Sequence, residues 1–114
     1  MRILVVCGAG ASSTFVAQRV RHAAQAHGLP YVAFAGTERS LPIDLDAADV
    51  VLVGAHLADV VPRIERDAAA RGTTVVVLPA DISDDLDGSR TLALIRAAVG
   101  DFGGTLPANT PSPT

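Results

Sequence analysis

Arg2-Ile3-Leu4-Val5-Val6-Cys7-Gly8-Ala9-Gly10-Ala11-Ser12-Ser13-Thr14 decides the fold. It reads as a buried strand that passes through a thiol and a small-residue loop into a helix. Ile3 to Val6 are apolar without alternation, the pattern of a strand covered on both faces of a parallel sheet. Cys7, the only cysteine of the chain, stands at that strand's carboxyl end. Helical spacing is expected from Thr14 to His27, carried by Phe15, Val16, Val20, Ala23 and Ala24, with Gly28 as the stop. The thiol is thereby set beside a helix N-terminus, where amides are unpaired and the dipole is positive. Such a field favours the thiolate. An anion, most simply a phosphoryl group, would find N–H donors there without a side-chain cation.

Outward from this stretch, three further apolar runs follow at Tyr31–Ala35, Val50–Val53 and Thr74–Leu78. Residues 37–49 leave room for only a short helix, packed by Leu41, Ile43 and Leu45 and limited by Pro42. Leu57, Val60, Val61, Ile64 and Ala68 repeat at helical spacing, with Pro62 in the first turn or at a kink and Gly72 as the stop. Leu92, Leu94, Ile95 and Val99 mark a last helix over 90–99. Strand and helix alternate, which implies an open parallel sheet with right-handed crossovers and helices on both faces. The expected fold is thus α/β, a single doubly wound four-stranded domain of strand order 2-1-3-4, flavodoxin-like or phosphotyrosine-phosphatase-like. Ligands of such sheets bind outside the carboxyl ends of the strands, where Cys7 lies. The domain is expected over 1–102, with a flexible tail over 103–114 whose Gly, Pro and Thr content cannot support a core.

Composition narrows the classes further. A chain of 114 residues with net charge −3 is one domain, with no basic block or aromatic platform for nucleic acid. No apolar run approaches the about 20 residues of a membrane span, and no secretory signal precedes the first strand. One cysteine forms no internal disulfide, which places the chain in a reducing cytoplasm. All nine basic residues are arginine, a usage more simply ascribed to codon bias than to function. No spacing of His, Cys, Asp and Glu suggests a metal site, and no cofactor is implied.

The loop Cys7-Gly8-Ala9-Gly10-Ala11-Ser12-Ser13-Thr14 resembles the phosphorylation loop of the IIB components of the phosphoenolpyruvate:sugar phosphotransferase system, in its lactose/cellobiose (chitobiose) type. The match falls on Cys7, Ala9, Gly10, Ser12 and Ser13. It extends to Ala48-Asp49-Val50-Val51-Leu52-Val53-Gly54, to Val61-Pro62 and to Asp87-Gly88. Ala55-His56 and Ser83-Asp84 stand where the family often has Pro-Gln or Pro-His and Tyr-Gly. The resemblance implies a cytoplasmic phosphocarrier and phosphotransferase. Cys7 would accept a phosphoryl group from phosphohistidine of a IIA protein and pass it to a sugar taken up through the IIC membrane permease. The residues suit that chemistry. Amides from Gly8 to Thr14 would cradle the group, Gly8 and Gly10 would let the backbone curl around it, and Ser12, Ser13 and Thr14 would cap the helix and donate hydroxyls. His56, after the third strand, is a candidate contact for the partner or the loop.

Two other functions compete. A low-molecular-weight cysteine phosphatase or arsenate-reductase-like enzyme would use a similar sheet, but its Cys-x5-Arg loop has Ser13 in place of the arginine that stabilises transition-state charge. Asp81, Asp84, Asp85 and Asp87 would have to supply its acid and base. The other is a non-catalytic IIB-like regulatory domain. A dinucleotide site lacks the third glycine of its fingerprint, again replaced by Ser13, and has only Glu38 beyond the second strand. His22, His27, Arg19, Arg21, Arg63 and Arg66 read as solvated helix positions. The sugar is not legible, because specificity would lie in the permease, and a monomer that docks transiently is the simplest expectation.

Overall fold

Four parallel strands, β1 (Arg2–Val6), β2 (Val32–Gly36), β3 (Val50–Val53) and β4 (Thr74–Val77), form one sheet in the order β2-β1-β3-β4. This is the 2-1-3-4 order expected from the sequence. The computed structural model describes residues 1–6, 10–37 and 39–100, and of residues 10–12, 56 and 83 the backbone alone. The boundary at residue 102 and the tail over 103–114 lie outside the described residues, as does Glu38.

The uninterrupted apolar strands are explained by two cores. Side chains alternate across the sheet, so Ile3, Val5, Val50, Leu52 and Val76 enter one core and Leu4, Val6, Val51 and Val53 the other. The first core is closed by α1 (Gly10–Ala26) and α4 (Ser89–Val99), through Val16, Ala17, Val20 and Ile95. The second is closed by the short α2 (Leu41–Asp44) and by α3 (Val61–Ala69), through Leu41, Ile64 and Ala68, with Leu45 just beyond α2 joining them. Pro42 and Pro62 both sit in first helical turns, where a missing N–H costs nothing. A 3-10 segment over Ala55–Val60 leads into α3.

Helix ends obey the glycine signals. Beyond α1, Leu29 donates to the Ala24 carbonyl at 2.8 Å and Gly28 to that of Gln25 at 3.1 Å, with Gly28 at φ +67°. This paired closure absorbs two orphan carbonyls and needs the left-handed residue. Gly72 repeats it beyond α3: Thr73 donates to Ala68 at 2.9 Å and Gly72 to Ala69 at 3.2 Å.

The start of α1 corrects the sequence reading. The helix begins at Gly10, not Thr14, so Ser12, Ser13 and Thr14 lie within its first turns and not at the N-cap position. The physical reason is Ser13 itself. It is 1% exposed and belongs to the inward stripe with Val16, Ala17 and Val20, so a residue that reads as a cap is part of the buried face.

Gly88 opens α4 at φ +77°. A Cβ there would fall on the Arg19 carbonyl of α1. The Asp87-Gly88 pair singled out in the sequence is therefore where α4 approaches the backbone of α1.

Candidate functional site

The carboxyl ends of the strands form one edge of the sheet, and β1 lies at its centre. Val6 pairs in register with Gly36 of β2 and Val53 of β3, and its carbonyl accepts the Gly54 N–H at 2.8 Å. After β1 the chain crosses to the face of α1, and after β3 to the face of α3. The boundary between β1 and β3 is therefore the switch point at which doubly wound sheets bind ligands. Cys7, Gly8 and Ala9, which follow Val6, lie outside the described residues. His56 belongs to the 3-10 segment that follows Gly54, so its backbone reaches the same edge; its side chain is not described.

The first turn of α1 supplies the electrostatics. Gly10, Ala11 and Ser12 are its first three residues, and amides in these positions have no intrahelical acceptor. From Ser13 onward the amides enter the helical ladder, so that of Thr14 faces the Gly10 carbonyl. No acidic residue occupies the first turn, so the positive end of the helix dipole is not neutralised by its own side chains.

The N-terminus of α4 has the opposite character. Asp87 Oδ1 accepts the Ser89 N–H at 3.0 Å and the Ser89 hydroxyl at 2.8 Å. The Asp85 carboxylate, 9% exposed, accepts the N–H groups of Arg90 at 3.1 Å and Thr91 at 2.7 Å and the Thr91 hydroxyl at 2.8 Å. All of the first three amides are thus occupied before the ladder begins with Leu92 donating to Gly88. Hydrogen bonds from the Ser89 backbone and hydroxyl hold the Asp87 carboxyl below its ordinary value. Asp81 is likewise lowered, first by a hydrogen bond from the Arg90 guanidinium and then by its charge, at a separation of 3.1 Å. Arg90 is raised in turn. Three of the four carboxylates considered as hydrolytic groups are therefore engaged in holding α4 and its approach loop.

A further cluster, not anticipated from the sequence, closes the β2 end of the edge. Thr37 N–H donates to Ser40 Oγ at 3.0 Å, and Ser40 N–H to Thr37 Oγ1 at 3.1 Å. Ser40 Oγ donates to Asp44 Oδ2 at 2.6 Å. This reciprocal pair has the form of a capping box ahead of α2. The spacing of Thr37 and Ser40 was the available signal, and a serine in place of the usual Glu or Gln hid it. Gly36 fits against the cluster, since a Cβ there would lie 2.6 Å from Asp44 Oδ2 and 2.8 Å from Leu4 Cδ1.

Comparisons with known proteins agree with this fold. The sequence pattern of the family described as PTS system, Lactose/Cellobiose specific IIB subunit matches residues 2–94. The lactose-specific IIB component domain of Streptococcus pneumoniae superimposes with a TM-score of 0.78, covering 86% of this chain and 96% of that one, at 16% identity. At that identity the likeness concerns the fold. The cellobiose-specific phosphotransferase IIB component of Borrelia burgdorferi, at 27% identity, superimposes with a TM-score of 0.63 and covers 90% of this chain and 91% of that one. A comparison with curated protein sequences finds no match. Among the described residues no helix is long and apolar enough to cross a membrane.

Proposed function

Because the chain belongs to the lactose/cellobiose-specific IIB family of the sugar phosphotransferase system, we propose that it is a phosphocarrier with Cys7 as its transient acceptor. The Cys7 thiolate attacks the phosphorus of a phosphohistidine on a IIA protein. The P–N bond breaks, an S–P bond forms, and the histidine leaves as neutral imidazole after taking up a proton. A sugar hydroxyl presented by the IIC permease then attacks the phosphocysteine, losing its proton as the P–O bond forms and the thiolate is released. Such transfers need positioning and charge stabilisation more than covalent help. Cytoplasmic placement follows from that relay.

The observation that carries this reading is the contrast between two helix N-termini. Three amides of α1, at Gly10, Ala11 and Ser12, begin three residues after Cys7 with no carboxylate among them. Those of α4 are filled by Asp85 and Asp87. An anion is accommodated at the first and repelled at the second. The loop amides of Gly8 and Ala9 and the small side chains from Gly10 to Thr14 complete the proposed cradle, and His56 is proposed as a contact for the incoming phosphohistidine. Engagement of Asp81, Asp85 and Asp87 in α4 favours a carrier over a hydrolase, which would need a free acid and base to release phosphate.

Incubation with phosphorylated IIA tests the proposal by intact-protein mass spectrometry. One phosphoryl group on the wild type, none on Cys7→Ser, and discharge only when permease and sugar are added is the expected outcome. No mass gain on the wild type, or steady release of phosphate from aryl esters, overturns it.

A further inference from the structure

Among the described residues no strand pairs with the outer side of β2 or of β4, and the two edges are treated differently. In β2 the Val32 N–H donates to the Met1 carbonyl, so in the parallel ladder Ala33 and Ala35 turn their backbone groups outward. The outward Ala33 carbonyl is taken by the Arg21 guanidinium at 2.9 Å, one of the devices that blunt an edge strand. In β4 the amides of Thr74 and Leu78 donate inward to Asp49 and Val53, so Val75 and Val77 face outward. Among the described residues no hydrogen bond reaches these outward groups. The strand Thr74–Val77 carries no charge and no proline, and Val77 is 46% exposed.

We propose that the β4 edge pairs with β4 of a second copy of this chain, antiparallel, to give a weak two-fold dimer with a continuous eight-stranded sheet. The occupant follows from the register. Only with the two-fold axis at Val76 does Val75 of each copy lie opposite Val77 of the other, so that all four outward N–H groups meet four outward carbonyls. That arrangement is self-complementary, as a two-fold contact requires. It sets the half-exposed Val77 against Val75 of the other copy, a cross-strand pair of β-branched side chains. Antiparallel pairing runs the Arg71 end of each strand toward the Asp81 end of the other. Arg71 already holds Asp46 and Asp81 holds Arg90, so neither end presents an unbalanced charge. With four residues a side, the contact falls well below the about 1,200 Å² of a stable interface, so the dimer is concentration-dependent.

Sedimentation equilibrium of the full chain under reducing conditions, from about 10 μM to about 1 mM, tests this over the range in which a small contact becomes populated. Amide exchange is followed at the two concentration limits. The wild type is expected to move from monomer toward dimer, with slower exchange at Val75 and Val77 as concentration rises. Val77→Lys weakens the association by about 10-fold or more, whereas Val32→Lys, on the β2 edge and 55% exposed in the native chain, leaves it unchanged. Both positions are exposed, and far-UV circular dichroism verifies that both variants fold. A wild type that stays monomeric up to about 1 mM overturns the proposal, and so does a dimer that persists in Val77→Lys with unprotected Val75 and Val77 amides.

Discussion

Replacing Gly88 with alanine separates two reasons for a glycine. The residue is at φ +77°, where an L side chain costs about 1–2 kcal/mol. The added Cβ would also collide with the Arg19 carbonyl, with the Arg19 carbonyl carbon 2.6 Å away. Neither helix backbone can rotate out of the way as a side chain would, so α4 must move off α1. Overpacking of this kind costs a further about 1–3 kcal/mol, which brings Gly88→Ala to about 2–5 kcal/mol. Gly28 is the control. Its φ is +67°, yet nothing lies within 4 Å of the position its Cβ would take, so Gly28→Ala carries only the conformational part, about 1–2 kcal/mol. Urea denaturation of both variants measures the difference, and thermal unfolding should show Gly88→Ala lower in Tm by roughly 10–30 °C. If Gly88→Ala is no more destabilised than Gly28→Ala, the close approach of α4 to α1 is wrong.

Asp85→Ala should destabilise by about 2–3 kcal/mol in urea unfolding, because it strands two amides and the buried Thr91 hydroxyl; Asp85→Asn, which keeps one acceptor oxygen, should fall between it and the wild type. Asp81 and Asp87 have folded-state carboxyls below the ordinary 3.8, so on acidification the unfolded chain takes up protons first. Their contribution is therefore complete above about pH 5 and is lost as pH falls below 3.8 through the lowered folded values; urea midpoints against pH should show a shallower acid slope in Asp87→Asn. Ala11→Asp would place a carboxylate in the first turn of α1, where it competes for the amides and weakens the dipole's effect by up to about 1 kcal/mol. Phosphoryl acceptance from IIA should drop by about 5-fold, while Ala11→Ser, measured beside it, should remain near wild type.

Strands were legible in the sequence because their runs are apolar: Ile3–Val6 and Val50–Val53 are buried throughout, whereas the edge strands β2 and β4 fully bury only Ala33 and Val76. Gly28 and Gly72 were legible as stops because only a left-handed residue closes those helices. The start of α1 was not, since Ser12, Ser13 and Thr14 carry the residue types of a cap while Ser13 is packed inside. Nor was the work of the Asp81–Asp87 segment visible. Four carboxylates in seven residues look like a solvated acidic loop or a reservoir of acids. Whether they meet water, an arginine or a helix terminus depends on how the loop returns to α4, and that is set by the contact of Gly88 with Arg19. The location of the candidate site was readable because it depends on topology alone: the carboxyl end of the central strand at the switch point.

A single electrostatic rule accounts for both ends of the β4–α4 and β1–α1 connections. Each helix N-terminus presents about half a positive charge and a set of amides with no intrahelical acceptor, and these must be satisfied. At α4 the chain satisfies them with its own carboxylates, Asp85 nearly buried and Asp87 below its usual titration range, and that end is structurally closed. At α1 the residues are Gly, Ala and Ser, and no carboxylate in the first turn intervenes. On the proposed function, the amides of Gly10, Ala11 and Ser12 would be left to a transient anion, and the first turn of α1 would be more stable occupied than empty. A carrier that alternates between the two states needs that property, because an acidic cap at α1 would stabilise the empty protein and oppose each arrival of phosphate.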